Sequence, residues 1–170
     1  MRQILQQRDL RADAWRYPGE AGEGPLVQTL AELLAGPGAG AGAAAANGAS
    51  DRGAAVGGAF GVLLGPTDDV ALLAPLITGL ALVVIRFETS GDGRGYSQAQ
   101  LLRQRLGYQG ELRAAGAIRR DQLFLLARCG FDAFDFAPGE DPGAALAQLE
   151  RYSVAYQPAS GKLVQPRMRP

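Results

Sequence analysis

Two rhythms of apolar and polar positions alternate along this chain. Phe60–Leu64, Leu80–Phe87, Glu111–Ala115 and Phe131–Phe136 are apolar runs of strand length. Leu80–Phe87 is almost unbroken, which predicts a strand covered on both faces, the usual state in a parallel sheet. Between the runs lie polar loops, followed by stretches whose apolar residues recur every three or four positions, the spacing of helices.

The punctuation between these elements is specific. Gly65-Pro66 ends the first run, and Thr67 predicts the cap of a helix with Asp68 and Asp69 in its first turn. Val70, Leu73, Leu76 and Ile77 would line its inner face, and Pro75 shortens or kinks it. After the loop Glu88–Tyr96, Ser97 and Gln100 form a Ser-x-x-Gln capping box. That helix runs to about Leu106, with Ala99, Leu102 and Leu106 inward and Arg103, Gln104 and Arg105 outward, and Gly107 fits its left-handed end. Asp121 is expected to cap Gln122–Cys129, which Gly130 terminates. Asp141 caps the last helix, Pro142 takes its first turn, and Ala145, Leu146 and Leu149 face inward. Tyr152–Tyr156 reads as a final edge strand.

Strand and helix alternating four times predict an α/β fold with right-handed crossovers. The preferred architecture is a partial (βα) barrel-like parallel sheet built from repeated βα units. The alternative is a small open doubly wound sheet. Residues 1–35 form an N-terminal arm and short helix, in which Arg8–Asp13 is a small hairpin or irregular arm and Val27–Ala35 is helical. Trp15, the only tryptophan, is expected to anchor the arm to the body. Residues 36–58 are dominated by Gly and Ala and read as a flexible linker. The α/β domain covers 59–157, and a basic tail follows over 158–170.

Composition narrows the chemistry. The 170 residues suit one domain with a real core. Seventeen basic and 17 acidic residues cancel, which disfavours nucleic acid or an anionic membrane as partner. Apolar runs stay strand-sized, and the N-terminus lacks the apolar core of a signal peptide, so the expected location is cytoplasmic. There is no histidine and a single cysteine, Cys129. That removes Ser-His-Asp and Cys-His catalytic units, an internal disulfide, and zinc or iron–sulfur sites held by this chain alone. Catalysis here would lean on Asp, Glu, Arg, Tyr, backbone N–H groups or a bound cofactor, whose identity is unknown.

The candidate site residues lie on loops that follow strands. Gly91-Asp92-Gly93-Arg94-Gly95 lets backbone approach a ligand closely and feeds a helix N-terminus. Arg94 has the fork geometry for an oxyanion, unless Asp92 and Arg94 only pair with each other. Arg119, Arg120 and Asp121 follow the next strand on the same edge, and one of the two arginines converging with Arg94 would make an anion site. The spacing is not a dinucleotide fingerprint, and no Gly-Lys-Ser/Thr closes 36–58 as a phosphate loop. Cys129 stands at a helix C-terminus, where the dipole raises a thiol pKa, so burial is its expected role. Tyr96, Tyr108, Tyr152 and Tyr156 read as packing residues.

Several phrases resemble a known bacterial family. They are Asp-Gly-Arg-Gly-Tyr-Ser-Gln-Ala at 92–99, Leu-Leu-Arg-Gln-Arg-Leu-Gly-Tyr at 101–108, Gly-Glu-Leu-Arg-Ala at 110–114, Arg-Asp-Gln-Leu-Phe at 120–124, Arg-Cys-Gly-Phe-Asp-Ala-Phe at 128–134 and Ser-Val-Ala-Tyr-Gln at 153–157. The family is the domain of unknown function 934, and the likeness covers roughly 60–157. Its members are typically found beside genes for sulfite reductase and sulfate assimilation, and some carry the label oxidoreductase. The resemblance therefore implies a role accessory to assimilatory sulfite reduction, with sulfite reductase or its electron donor as candidate partner. A homodimer is a further candidate, because an incomplete barrel leaves edges to cover. The chain departs from the family at Phe87-Glu88-Thr89-Ser90 and at Ala115-Gly116-Ala117-Ile118, where relatives more often carry a basic and an acidic residue. No established catalytic residues carry over.

Overall fold

A computed structural model describes residues 3–20, 24–36 and 60–150. Seven strands form one open sheet: β1 (Gln3–Gln6), β2 (Asp9–Ala12), β3 (Val27–Thr29), β4 (Phe60–Leu64), β5 (Leu80–Phe87), β6 (Glu111–Gly116) and β7 (Ala133–Phe136), in the order β2-β1-β7-β6-β5-β4-β3. β3 to β7 are parallel neighbours, while β1 is antiparallel to both β7 and β2.

From β3 to β7 the strand order never reverses. Right-handed crossovers between successive parallel neighbours return on the same side each time. The connections therefore stack on one face: α1 (Leu30–Ala35), a 3₁₀ helix at Val70–Leu76, α2 (Arg94–Gln100) and α3 (Leu123–Cys129). α4 (Pro142–Glu150) packs at the β1–β2 end. Side chains divide accordingly. Val62, Leu64, Val83, Ile85, Phe87, Leu112, Ala114 and Phe134 pack with Leu73, Leu102, Leu126 and Ala145 from the helical layer. Leu82, Val84, Ala115 and Val27 point to the opposite face, where Trp15 and Tyr17 cover them.

The α/β class and the four central strands follow the hydrophobic pattern. The sheet is open, and its strand order is that of consecutive barrel strands. Leu82, Val83, Val84 and Ile85 are each 0% exposed, so this β5 segment is covered on both faces. Each such side chain contributes about 2 kcal/mol of transfer free energy. Arg8 and Gln7 take positive φ in a two-residue turn, making the β1–β2 segment a hairpin. Trp15 does anchor the arm, packing over Gly61.

Several local expectations change. Val27–Thr29 is strand rather than helix, and Thr29 then caps α1 through a reciprocal box with Glu32. Asp69, not Thr67, caps the 3₁₀ helix, accepting from Ala71 N at 2.9 Å, and Pro75 is accommodated inside it. α2 begins at Arg94, three residues before the expected Ser97 cap, because the Asp92 carboxylate already accepts the Arg94 backbone N–H at 3.0 Å. Asp141 caps α4 as expected, accepting from Gly143 N. The segment 37–58, the expected strand Tyr152–Tyr156 and the tail from 158 lie outside the described residues.

Beyond α2 the chain makes one π turn, Leu101–Arg105, in which Leu106 N bonds Leu101 O. The wider turn shifts the face read from a 3.6-residue period. Arg103, expected outward, instead turns its side chain inward, leaving it 8% exposed. It donates to the carbonyls of Gly130, Tyr108 and Gly110 and pairs with Asp132 at 3.1 Å. Asp132 in turn accepts from Leu112 N, so this pair staples the N-terminal ends of β6 and β7.

Candidate functional site on the loop edge

The C-terminal ends of the parallel strands present loops 65–69, 88–93 and 117–119, the edge where open α/β sheets place their sites. Two glutamines tie these loops together. Gln98, buried on α2, donates through Nε2 to Gly65 O at 2.9 Å and Asp68 O at 3.0 Å. Gln122 donates to Ser90 O at 2.6 Å and accepts from Arg119 N at 3.0 Å. The loops after β4, β5 and β6 thus form one braced surface.

Gly95 sets how close α2 comes to β5. A Cβ there would lie 2.5 Å from Phe87 Cζ and 3.1 Å from Ile85 Cγ2. Phe87 has no room to retreat, since its ring meets Tyr96 edge-on at 5.5 Å and Phe131 at 6.0 Å. Gly91 and Gly93 differ: a Cβ on either meets nothing within 4 Å.

Asp92 and Arg94 bond each other. Arg94 Nε lies 3.0 Å from Asp92 Oδ1 and its Nη2 2.7 Å from Oδ2. These side-chain bonds, then the one from the Arg94 backbone, hold the Asp92 carboxyl below its ordinary pKa. The Arg94 side chain is 57% exposed. Arg119, Arg120 and Asp121 are exposed, and no ion pair among the described residues joins them to Asp92 or Arg94. Asp121 does not cap α3: a 3₁₀ turn, Arg120–Gln122, leads into it, and Gln122 takes the Arg119 N–H. Asp121 still lies near enough to Tyr96 to help raise its pKa, after burial and Cys129.

Cys129 is buried, and burial pushes its thiol pKa up against a contact from Gln100 Nε2 at 3.7 Å. Among the described residues no group of three or more Asp, Glu, Cys or His side chains is placed to hold a metal. The edge is chemically a charged, braced surface, with one arginine closed by its own neighbour and two arginines facing solvent.

A second polar cluster lies on the sheet face opposite α1, α2 and α3. Arg113 is 1% exposed and donates to Asp13 at 2.9 Å, to Tyr17 Oη at 2.9 Å and to Glu111 at 2.6 Å. Gln6 also donates to Glu111, at 2.7 Å. Burial pushes the Tyr17 phenol up to about 12, against the lowering pull of Arg113, and raises Glu111. Periodicity gives no sign of this cluster. The one visible signal is a charged residue inside an otherwise apolar strand, Glu-Leu-Arg-Ala-Ala at 111–115.

No helix among the described residues is long and apolar enough to cross a membrane. No curated protein matches the chain. One family model does, that of a bacterial protein of unknown function, over residues 61–166. This span holds the loop edge, the Arg103–Asp132 staple and Arg113, while the hairpin, the Trp15 arm and β3 lie before it. The chain belongs to the bacterial family of unknown function DUF934.

Proposed function

We propose that this protein is a cytoplasmic accessory factor of assimilatory sulfate and sulfite reduction that works by docking rather than catalysis. Its partner is sulfite reductase or that enzyme's electron donor, and the docking surface is the loop edge carrying Asp92, Arg94, Arg119, Arg120 and Asp121. The sulfur context rests on the family resemblance. The observation that favours docking is the closure of Arg94 by Asp92 at the surface, with Arg119, Arg120 and Asp121 exposed beside it. Charges arranged so on a braced surface steer association and fix orientation. The test is retention of sulfite reductase from a cell lysate on the immobilised protein. Retention that weakens with salt supports the reading. Failure to retain it or its donor at mild ionic strength overturns it.

The alternative is a small oxidoreductase or oxyanion-binding enzyme of sulfur metabolism. It requires Arg94 to leave Asp92 and turn toward Arg119 or Arg120, with a redox cofactor supplied from outside the chain. A thermal shift with sulfite or sulfate, lost in Arg94→Ala, would favour it over docking. Full complementation of a deletion strain by Arg94→Ala would remove its anchor.

A further inference from the structure

The two edges of the sheet are treated differently. At the β3 edge, Arg16 bridges to Leu26, and its carbonyl accepts Val27 N at 2.8 Å. At the β2 edge, Asp9, Leu10, Arg11 and Ala12 are all exposed, and no described strand pairs beyond them. An exposed edge strand is a template for another strand.

The hairpin fixes which groups that edge offers. Gln6 and Asp9 flank a two-residue turn and form the pair nearest to it. In such a turn the flanking residues exchange both backbone bonds. Alternation then leaves the N–H and C=O of Leu10 and Ala12 facing outward. Leu10 is 45% exposed and lies on the same face as its partner Leu5, beside α4. Asp9 and Arg11 lie together on the other face, 3.6 Å apart.

We propose that β2 pairs antiparallel with β2 of a second copy of this chain, about a two-fold axis through Leu10. Antiparallel two-fold pairing centred there sets Leu10 opposite Leu10 of the other copy, and each exchanges two backbone bonds with the other. The same register sets Asp9 opposite Arg11 of the second copy, and Arg11 opposite its Asp9. The strand is therefore self-complementary in backbone, apolar contact and charge. Such isologous contacts close at two copies rather than propagating. Four residues from each side bury less than a standard interface of roughly 1,200–2,000 Å², so self-association is weak and depends on concentration. The proposal is independent of the loop-edge docking, which uses the loops after β4, β5 and β6 and other residues.

Sedimentation equilibrium of the full chain, from low micromolar to near-millimolar concentration, tests it. The wild-type protein dimerises, and the Leu10 amide becomes protected from exchange as the dimer fills. Asp9→Arg alone and Arg11→Asp alone each place like charges across both symmetric pairs and weaken self-association about tenfold. An equimolar mixture of these two variants associates as the wild type does, since each supplies the charge the other lacks. The double variant Asp9→Arg/Arg11→Asp also regains dimerisation. A wild-type protein that stays monomeric throughout overturns the proposal, and a protected Leu10 amide in that monomer would mean the edge is covered within one chain. A dimer indifferent to both single variants, or a mixture that does not associate, overturns it equally.

Discussion

Arg94 and Arg113 each bind carboxylates at short range, 2.7 and 2.6 Å, yet the two clusters behave as opposites. The Arg94 side chain is 57% exposed, and its partner is two residues away in the chain. Arg113 is 1% exposed, and Asp13 comes to it from 100 positions earlier. The first pair is local to one loop. The second ties the N-terminal arm to the centre of the sheet, where water no longer weakens the interaction. Identical pair chemistry therefore ties distant parts of the fold together at one place and stays local to an exposed loop at the other.

The largest expected effect breaks the buried cluster. Arg113→Met leaves Asp13 and Glu111 without their shared cation and is expected to cost about 3–5 kcal/mol in urea unfolding. Protease sites around Tyr17 and Gly24 should open in the same variant. Replacing all three charges, by Asp13→Leu and Glu111→Leu together with Arg113→Met, is expected to recover most of that loss, because no uncompensated charge then stays buried. If Arg113→Met unfolds with the wild-type midpoint, the arm is not held as described.

Tyr17 sharpens the same contrast through pH. Burial pushes its folded pKa up to about 12, from the ordinary phenol value of about 10. The unfolded chain thus loses the phenolic proton first as pH rises. The stabilisation is present in full below pH 10 and is lost between about 10 and 12. Its size is about 2–3 kcal/mol. Subtracting the Tyr17→Phe stability curve from that of wild type isolates this slope from the other tyrosines. A difference curve that is flat across the window would contradict the burial of Tyr17.

The steric fit beneath the loop edge gives a smaller effect. Gly95→Ala forces a methyl against Phe87, which is fixed by Tyr96 and Phe131, and is expected to cost about 1–3 kcal/mol. Gly93→Ala meets open space and should leave the unfolding midpoint unchanged. Equal effects from the two would mean that α2 does not sit on β5 through Gly95.

How much of this is visible in the chain depends on how local the cause is. β4 and β5 stand out because their runs are apolar almost throughout, Arg86 being the one charged residue. Gly107 and Gly130 mark helix ends because left-handed backbone, at φ 65° and 114°, favours glycine. The cap at Ser97 fails because Asp92, further upstream, already takes the Arg94 N–H and lets α2 start three residues earlier. Arg103 fails because a single π turn rotates it inward, which a 3.6-residue period cannot register. The Arg113 cluster depends on contacts about 100 residues apart, and no local pattern encodes those. Among the candidate residues, the Asp92–Arg94 pair is legible from its spacing. The bracing by Gln98 and Gln122 is not, because a glutamine carries no charge and fits any exposed helix face.

The exposed cluster yields the smallest stability effect and the most informative functional one. Arg94→Ala breaks a pair that lies at the surface, where solvent and salt leave little net interaction. Arg119→Ala and Arg120→Ala remove side chains on the same open edge. The triple variant is therefore expected to unfold at the wild-type midpoint, with Arg113 and its partners undisturbed. If the loop edge docks sulfite reductase or its donor, that well-folded variant should lose retention from lysate, and the wild-type retention should fall with added salt. Retention equal to wild type at every salt concentration would move the docking surface elsewhere. A lowered midpoint would instead show that these arginines support the fold, and the division between a buried cluster for structure and an exposed one for recognition would fail.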